Sequence, residues 1–582
     1  DVARRYMPHV VFQQYRRGKS LWTRCDGLGR VIETRDVRAV PAMLEQLWHE
    51  AAAGRVAAGF ICYEAAPAMD DALAAHRPDW LPLLWFGIFD SATTSSQHPA
   101  DDAQPPRIGP WQPGISREQY VRSVGRIKQY IAAGDTYQVN YTFPLHARIE
   151  GLAWPLFLRM CRAQQAEYCA YIETDEFAIC SASPELFFQL EGRRIIARPM
   201  KGTSRRGRSA QEDLALRVAL RNCQKNRAEN AMIVDMMRND LGRIAVRRSV
   251  QVLSAFDVEI YPTVLQMTST VAAETDASLV EIFRALFPPA SITGAPKVRT
   301  TQIIHQLEPF ARGVYTGCIG WLGPGRQARF NVAIRTLAID KRSSTGVYGV
   351  GSGIVWDSQA EGEYEECLAK ARVLSAECPS FQLLETMLYD GREVFLLEEH
   401  LQRLEQSAEY FGFAFDREAV CARLRAAMGD FGATQQRVRL LLSHDGQITV
   451  EAAPLEPDRH RGPLRLRLAA KPVDTENVFL YHKTTRREVY ESAKAEGDCD
   501  DVILWNQRGE ATETTIANLV VELDGQLVTP PVRCGLLPGV FRRHLLETGQ
   551  IAERVVLVED LRRATRLLAV NSLRRWMPAV LL

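Results

Sequence analysis

Apolar and polar positions alternate in short runs along the first two thirds of the chain and recur at helical spacing between those runs. The alternating pattern predicts strands over Ala178–Gln189 and Val347–Trp356. The helical spacing predicts helices over Ser209–Arg227, Glu229–Leu241 and Ala360–Ala376. Because strands and helices alternate, the pattern indicates a mixed α/β fold, of the α+β or α/β class.

The pattern changes near Glu377–Ser380, where a proline ends a helical segment. A strand, a helix around Glu398–Phe411 and several strands rich in Val and Leu follow. Since 582 residues are too many for one core, we predict two domains, residues 1–376 and 380–582. Within the first, Ser91–Gly114 is rich in Ser, Pro, Gly and Asp and predicts a loop or linker.

Composition narrows the class of function. With 24% charged residues and a net charge of +1, the chain has no electrostatic footprint for nucleic acid or an anionic membrane. No apolar run reaches the roughly 18 residues of a membrane helix, and Asp1–Val10 lacks the order of a signal peptide. The 12 cysteines form no Cys-x-x-Cys pair. We therefore predict a cytoplasmic protein with reduced thiols.

Three charged residues share one face of the helix predicted before the domain boundary. Glu363, Glu366 and Lys370 are spaced three and then four apart. Two carboxylates and an ammonium in this arrangement could hold a divalent cation and an anion, although solvated surface helices often look the same. The preceding Gly351 and Gly353 favour binding, because glycine in a strand permits a ligand to approach the backbone closely.

Two residues elsewhere are further candidates for chemistry. Glu229 begins an amphipathic helix, where the helix dipole alone favours a carboxylate, but it could also supply one of the few protein oxygens that Mg²⁺ takes. Lys201 lies in a turn bounded by Pro199 and Gly202. It is either an exposed loop lysine or an amine nucleophile, whose pKa would be lowered by burial or neighbouring cations.

Several ordered segments resemble the chorismate-utilising enzymes over roughly residues 1–376. They include AGDTYQVNYT (Ala133–Thr142), SASPELFF, RPMKGT, AENAMIVDMMRNDLGR, FPPASITGAPKVRTTQIIHQLEP, AIRTL and GVGSGIVWDSQAEGEYEECLAKAR. The resemblance implies a two-sheet α/β sandwich that binds chorismate. At the position of Lys201, anthranilate-type members typically have alanine and aminodeoxychorismate synthases have lysine. This difference favours amination of chorismate at C4 over the alternative of an anthranilate synthase.

The same resemblance implies a role for each matching residue. Lys201 would add at C2 of the ring as the C4 hydroxyl leaves, Glu185 would act as the general acid on that hydroxyl, and ammonia would then displace the lysine. Gln266 stands where some relatives have histidine, and we assign it no acid–base role because an amide does not titrate near neutral pH. Magnesium would be bound by Glu229, Glu363 and Glu366. The chorismate site would be lined by Thr293, Gly294, Tyr315, Arg335, Gly351, Gly353 and Lys370.

Segments of the C-terminal part resemble the class IV (fold type IV) pyridoxal-phosphate enzymes over roughly residues 380–582. They are LLETMLYDG, EEHLQRLEQSA, YHKTTRREVY, ATETTIANLVV, LLPGVFRRHLLE and AVNSLRRWMPAV. By spacing alone, the lysine and the later glutamate could equally belong to two surface loops. The resemblance implies that Lys483 bonds to the aldehyde of pyridoxal 5'-phosphate and that Glu513 pairs with its pyridinium nitrogen. Further cofactor contacts would come from Arg403, Ile516, Ala517, Gly539, Val540 and Ser572.

The NSLRRWMPA stretch is more similar to the lyases of this class than to the aminotransferases. Together with the neighbouring domain, it predicts a bifunctional enzyme that makes 4-aminobenzoate for folate. Chorismate would be aminated to aminodeoxychorismate, from which pyruvate is then eliminated. An amino-acid aminotransferase is the alternative for the second half. A third hypothesis, a silent binding module in one half, is disfavoured because Lys201 and Lys483 are both present.

Amination needs a source of ammonia. The sequence has no Gly-x-Cys-x-Gly nucleophile turn followed by a His-x-Glu pair, as a glutaminase would. We therefore expect a separate glutamine amidotransferase subunit or the use of free ammonia. The resemblance to the class IV enzymes also leads us to expect a homodimer formed through the C-terminal half.

Overall fold

The computed structural model describes residues 9–16, 18–77, 80–97, 104–375, 380–429, 432–456, 462–494 and 499–582. The chain forms two compact units. The first consists of Asp1–Arg205 and Arg217–Cys378, and the second of Arg206–Leu216 and Pro379–Leu582. Most of the boundary predicted at Glu377–Ser380 lies outside the described residues. The sequence did not predict that residues 206–216 belong to the second unit.

The first unit is rich in strands. They are β1 His9–Arg16, β2 Lys19–Thr34, β3 Val56–Ile61, β4 Leu84–Ser95, β5 Arg107–Ile108, β6 Gln112–Pro113, β7 Gln138–Glu150, β8 Tyr168–Glu173, β9 Phe177–Ser183, β10 Leu186–Glu191, β11 Arg194–Arg198, β12 Met200–Arg205, β13 Gln251–Ile260, β14 Val264–Glu274, β15 Gly294–Ala295, β16 Cys318–Gly323, β17 Gln327–Val332, β18 Thr336–Asp340 and β19 Thr345–Ile354. The helices of residues 1–376 are α1 Val40–Ala52, α2 Arg117–Ala132, α3 Ala153–Gln164, α4 Ala210–Asn222, α5 Gln224–Gly242, α6 Leu279–Leu286, α7 Lys297–Leu307 and α8 Ala360–Lys370.

These strands form one antiparallel ladder that folds into two halves. Its order is β13, β14, β11, β10, β17, β16, β3, β4, β2, β1, β8, β9, β18, β19, β7 and β15. The long strand β2 pairs with β4 on one side and β1 on the other, so it connects the halves. Strand β12, which carries Lys201, pairs with β14.

A layer of helices packs against the outer face of each half of the strand ladder, as the clusters of buried side chains show. One core cluster combines apolar residues of both halves, among them Phe60, Trp85 and Ile179. A second joins α1, α5 and α6 to one half, and a third joins α2, α3, α7 and α8 to the other. The result is a helix–sheet–sheet–helix arrangement, which confirms the predicted two-sheet α/β sandwich.

Several predicted elements differ from the observed ones. The helix predicted over 209–227 ends at Asn222, and α5 begins at Gln224, so Glu229 lies in its second turn rather than at its start. Lys201 lies in strand β12 and not in a turn, because β14 offers that segment a ladder of hydrogen bonds. Part of the predicted loop 91–114 is strand, since β4 continues to Ser95, and residues 98–103 lie outside the described ranges.

The second unit contains a small sheet and a closed ring of strands. Its elements are β20 Leu383–Tyr389, α9 Leu397–Phe411, α10 Arg417–Met428, β21 Gln436–Leu442, β22 Ile448–Pro454, β23 Leu464–Leu468, α11 Glu488–Lys494, β24 Asp501–Trp505, β25 Ala511–Thr514, β26 Asn518–Leu523, β27 Gln526–Thr529, α12 Val540–Glu547, β28 Ala552–Glu553, β29 Arg566–Asn571 and β30 Arg575–Leu581. Strands β20–β22 form an antiparallel sheet packed against α9 and α10. Strands β23, β24, β25, β26, β29 and β30 pair in sequence, and β30 returns to β23.

Two expectations drawn from composition concern membranes and thiols. Among the helices of the described ranges, none is both long and apolar enough to cross a bilayer. The cysteines in those ranges are free thiols, most of them buried.

Candidate active sites

A cavity of about 460 Å³ in the first unit brings together most residues predicted to bind chorismate and magnesium. Strand β12 contributes Lys201, strand β19 contributes two glycines, and helices α5 and α8 contribute the acidic residues. The predicted residues on its wall are Glu185, Lys201, Glu229, Tyr315, Arg335, Gly351, Gly353, Glu363, Glu366 and Lys370. Residues that are up to 185 positions apart in the chain therefore share one cavity.

Thr293 and Gly294 are not among the residues that line this cavity. Thr293 is completely buried, and its hydroxyl donates to the Pro289 carbonyl at 2.5 Å. Gly294 pairs with Val139 in the ladder. The neighbouring Ser291 and Ile292 line the cavity instead. The segment predicted to bind substrate is therefore adjacent to the cavity, but these two residues lie behind its wall.

The Lys201 side chain points into the cavity and not to bulk solvent. Its ammonium nitrogen lies 3.9 Å from a Glu229 oxygen, and only 17% of the side chain is exposed. Burial lowers the pKa of Lys201, and the Lys370 ammonium lowers it further, while Glu229, Glu366 and Glu363 oppose the change. A lower pKa increases the fraction of neutral, nucleophilic amine.

Two glycines of strand β19 lie directly beneath neighbouring side chains. A Cβ at Gly353 would come within 2.6 Å of the Lys201 nitrogen, and one at Gly351 within 2.6 Å of Thr142 Cγ2. The prediction attributed these glycines to the approach of a ligand. The structure shows that they also make room for Lys201 itself.

Helix α8 presents Glu363, Glu366 and Lys370 to the cavity, as their spacing predicts. The Lys370 nitrogen lies 2.8 Å from Glu366 Oε1 and donates to the Gly351 carbonyl at 2.8 Å. Burial would raise the pKa of Glu366, but the Lys370 ammonium, with Lys201 and Arg335, lowers it overall. Through Lys370, helix α8 is therefore bonded to strand β19, and its charged residues also line the cavity.

The carboxylates fit a loosely held magnesium ion. The described residues contain no group of three or more His, Cys, Asp or Glu side chains arranged to hold a metal, so Glu229, Glu363 and Glu366 are not a closed ligand set. Mg²⁺ usually takes only one or two protein carboxylates and keeps waters or substrate oxygens as its other ligands. Glu229 and Glu366 on the same cavity wall meet that requirement.

Glu185 is buried in the short connection between β9 and β10. Burial raises the pKa of Glu185 to about 7, although hydrogen bonds from Ser291 and the Met200 backbone and the charge of Lys201 oppose the change. A carboxyl group with this pKa is partly protonated near neutral pH and can donate a proton.

Arg335 lines the cavity, and Gln138 lies close behind one of its glycines. Arg335 has a left-handed backbone (φ 52°), and its guanidinium donates to the Lys370 carbonyl. Gln138, which the prediction missed, is buried, and its amide nitrogen would lie 3.2 Å from a Cβ at Gly353. Neither polar atom of that amide has a hydrogen-bond partner. Its position within the AGDTYQVNYT motif was the available signal.

A completely buried arginine braces the wall of this cavity. Arg312 donates to both oxygens of Glu308 at 2.7 and 2.8 Å. It also donates to the carbonyls of Asn140, at 2.7 Å, and Ile292, at 3.1 Å. Asn140 and Ile292 both line the cavity, so one guanidinium fixes two separate segments of its wall.

We predict that Arg312→Met destabilises the protein by about 3–5 kcal/mol, because it leaves Glu308 buried without its counter-charge. The urea midpoint of unfolding measures this change. Arg299→Met is the matched control in the same unit. Its ion pair with Asp135 is about one-third exposed, and such pairs contribute about 0–1 kcal/mol. Equal shifts for the two variants would contradict the assignment of Arg312 as a brace.

The second unit contains a buried amine at Lys483. Burial lowers the pKa of Lys483 to about 8, and the nearby Arg403 and Arg487 lower it further, while Glu385 and Glu513 oppose the change. The Lys483 carbonyl accepts from the Leu384 amide at 3.0 Å, which fixes its backbone beside strand β20. Lys483 is thus not a surface lysine.

Glu513 is buried on strand β25 with three hydrogen bonds. It accepts from the Tyr490 hydroxyl at 3.0 Å, from the Leu537 amide at 3.0 Å and from the Asn518 side chain at 3.1 Å. Burial raises the pKa of Glu513 to about 7, against the effect of these donors and of Lys483. A protonated ring nitrogen placed beside this carboxyl group would supply the positive charge that favours its ionised form.

Arg403 lies next to the predicted phosphate contacts at the start of α12. It forms two hydrogen bonds to Glu385, at 2.9 and 2.6 Å, and donates to the Pro538 carbonyl at 3.3 Å. Gly539 is the N-cap of α12, and Val540 is its first residue. A guanidinium and a helix N-terminus together suit a phosphate. A Cβ at Gly539 would come within 1.8 Å of Asn518 Oδ1, so glycine is required there.

The remaining predicted contacts lie in two neighbouring turns. The Ile516 carbonyl accepts from the Asn571 side chain at 3.3 Å, which places Ile516 close to the residue before Ser572. Ala517 and Ser572 are buried, whereas 53% of Ile516 is exposed. With a buried amine, a buried carboxyl group and an anion-binding helix start, the donor set fits pyridoxal 5'-phosphate. Glu385 and Tyr490 support that set, and the prediction did not include them.

Comparisons with known proteins identify a family for each part of the chain. The chorismate binding enzyme family matches residues 17–376, and the class IV aminotransferase family matches residues 382–582. Aminodeoxychorismate synthase component 1 of Escherichia coli K12 is 42% identical over 267 residues, which are 45% of this chain and 57% of that protein. The chain therefore spans little more than half the length of this relative.

Two solved structures are similar to different parts of the chain. Anthranilate synthase component I of Streptococcus pneumoniae has a TM-score of 0.52 at 23% identity and covers 65% of this chain and 93% of its own. At that identity, the likeness shows the fold alone. A Mesorhizobium loti protein assigned as an amino-acid aminotransferase is 40% identical over 35% of this chain and all of its own, with a TM-score of 0.33.

Proposed function

The chain belongs to the chorismate binding enzyme family and also carries a class IV aminotransferase domain, and from this premise we propose that it makes 4-aminobenzoate from chorismate in two steps. Residues 1–376 aminate chorismate to aminodeoxychorismate, and residues 380–582 eliminate pyruvate from that product. The observation that carries the proposal is Lys201, a buried amine in the same cavity as the acidic residues.

The first reaction uses Lys201 as a nucleophile on the substrate ring. Its neutral amine adds at C2, both ring double bonds shift, and the C4–O bond breaks. Glu185 gives its proton to the departing hydroxyl, which leaves as water. Ammonia then adds at C4, the double bonds shift back, and the C2–N bond to Lys201 breaks. Arg335 holds a substrate carboxylate with its planar guanidinium.

Magnesium would be held by Glu229 and Glu366, with Glu363 nearby. When bound, it supplies positive charge that offsets the carboxylates of substrate and protein. Lys370 keeps Glu366 in position from the other side, since it also donates to the backbone of β19.

The second reaction uses Lys483 as a proton carrier. When bound, pyridoxal 5'-phosphate supplies an electron sink for the bond-breaking step. Lys483 removes the proton from C4 of the ring, the C3–O bond breaks, and the enolpyruvyl group leaves as pyruvate after it gains a proton. Glu513 would hold the ring nitrogen of the cofactor, and Arg403 with Gly539 and Val540 would hold its phosphate. The ring becomes aromatic, which drives the reaction forward.

Ammonia would come from a separate glutamine amidotransferase, or free from solution. The E. coli relative is named as a component 1, which supports a second component for this protein too. The class IV half supports a homodimer. The alternative for that half is an amino-acid aminotransferase, in line with the class IV aminotransferase family that matches residues 382–582. Incubation with chorismate and ammonia separates the alternatives: the lyase forms 4-aminobenzoate and pyruvate, whereas an aminotransferase leaves aminodeoxychorismate.

We predict that Lys201→Ala abolishes amination of chorismate, because the side chain that remains cannot add to C2. Chromatographic analysis of the products after incubation with chorismate, ammonia and Mg²⁺ measures the loss. Lys19→Ala, an exposed lysine of the same unit, should keep the wild-type rate. Substantial aminodeoxychorismate formation by Lys201→Ala would contradict covalent catalysis by this residue.

The pKa of Glu185 predicts a pH dependence of amination. Because this pKa is raised to about 7, the proton-donating form is present below that pH and is lost as the pH rises through it. The rate should therefore fall on the alkaline side of about 7, when the concentration of free NH₃ is held constant. Glu185→Gln should remove this decline and lower the rate by about 10²–10⁴-fold. Exposed Glu191 is the control, since Glu191→Gln should leave the profile unchanged.

Replacement of the buried amine in the second unit separates the two reactions. We predict that Lys483→Ala loses the visible absorbance of bound cofactor and accumulates aminodeoxychorismate, because the first site is untouched. Lys494→Ala, an exposed lysine at the end of α11, should behave as wild type. Full 4-aminobenzoate production by Lys483→Ala would refute the assigned role.

A further inference from the structure

Eleven residues within the range that matches the chorismate binding enzyme family fold into the second unit. Arg206–Leu216 belong to the same compact unit as residues 379–582, although the family match over 17–376 includes them. They begin directly after strand β12. Within the second unit, this segment contacts helix α9.

A buried ion pair folds the segment tightly on itself. The Arg206 and Asp213 side chains are only 7% and 5% exposed. They are joined at 2.8 and 3.1 Å by two hydrogen bonds, and Asp213 also accepts from the Gly207 amide at 2.8 Å. A Cβ at Gly207 would come within 2.1 Å of the Asp213 backbone nitrogen, so no other residue fits without a shift.

The folded segment and Tyr410 of helix α9 each donate a hydrogen bond to the other. Arg206 donates to the Tyr410 carbonyl at 2.9 Å, and its guanidinium lies 4.2 Å from the centre of the Tyr410 ring. The Tyr410 hydroxyl in turn donates to the Gly207 carbonyl at 2.7 Å. These contacts fix both the position and the rotation of the ring.

Tyr410 packs directly on the residue that precedes the proposed cofactor lysine. Its ring lies 4.2 Å from that of His482, with an angle of 32° between the planes. His482 Nδ1 is 3.0 Å from the Ser407 hydroxyl of the same helix. Burial lowers the pKa of His482 to about 3, the Arg206 charge lowers it further, and the Arg208 backbone opposes the change. His482 is therefore neutral.

We propose that Arg206–Asp213 is a positioning element of the cofactor site, which holds Tyr410 and His482 and through them the backbone of Lys483. The inference rests on the proposed role of Lys483. It goes further because the cofactor site would then need residues that belong to the range of the chorismate binding enzyme family. Residues 380–582 alone would then lack part of the packing around their own lysine.

The chemistry of the pair supports this role. A buried ion pair adds little net stability compared with apolar residues of the same size, but the removal of one partner is costly because the other charge stays buried. Lysine should replace Arg206 only in part, because a point-like ammonium does not reproduce the planar fork in which Nε and Nη2 bond to the two Asp213 oxygens.

The test uses the full chain and two variants that disturb the segment from opposite sides. Arg206→Ala removes the guanidinium, and Tyr410→Phe removes only the hydroxyl bonded to Gly207. Titration with pyridoxal 5'-phosphate, followed by its absorbance, gives the affinity. Hydrogen exchange of residues 478–485 in the cofactor-free chain gives a second readout that does not depend on activity. Arg221→Ala, an exposed arginine of the same helix α4, is the control.

We expect both variants to bind the cofactor about tenfold more weakly or worse, which is about 1.4 kcal/mol, with faster exchange at 478–485. Arg206→Lys should fall between Arg206→Ala and wild type, and Arg221→Ala should match wild type. Unchanged affinity and exchange in Tyr410→Phe and Arg206→Ala would overturn the proposal. If Arg206→Ala does not fold, Tyr410→Phe decides. Wild-type protein that binds no cofactor would instead refute the proposed function.

Discussion

The proposed chemistry depends on the removal of two amines, those of Lys201 and Lys483, from water. Lys201 and Lys483 are lysines that solvent would keep protonated, and burial lowers the pKa of each. The fold places both carboxylates and cations near each amine. Among the described residues, the ion pair of Lys201 is a long one, with a Glu229 oxygen at 3.9 Å. Each site therefore keeps an amine that can react and acids that can hold its partners.

The surrounding backbone explains how such amines are tolerated. In the first unit, the missing side chain at Gly353 leaves space for Lys201, and Lys370 ties helix α8 to strand β19. The buried Arg312–Glu308 pair braces the wall behind them. In the second unit, Glu513 accepts from Tyr490 and Asn518, and Arg403 donates to Glu385, so both charged groups near Lys483 are held by hydrogen bonds.

The fusion of two families has a structural consequence that neither family alone would reveal. The chain leaves the first unit after Arg205, packs residues 206–216 into the second unit, and returns. Within that unit, the buried Arg206–Asp213 ion pair and the hydrogen bond from Tyr410 to Gly207 fix the position of these residues. Such contacts are directional, and this is why they can orient His482 beside Lys483.

Local periodicity and ordered motifs were sufficient to predict the class of fold and the two families, because both can be read from neighbouring residues. The i, i+3 and i+7 spacing of Glu363, Glu366 and Lys370 was enough to place them on one face. The tertiary fold was needed to show that Lys201 lies on a strand, that Thr293 does not line the cavity, and that Glu385 and Tyr490 contact Arg403 and Glu513. Strand pairing and burial depend on residues far away in the chain, and local patterns carry no information about them.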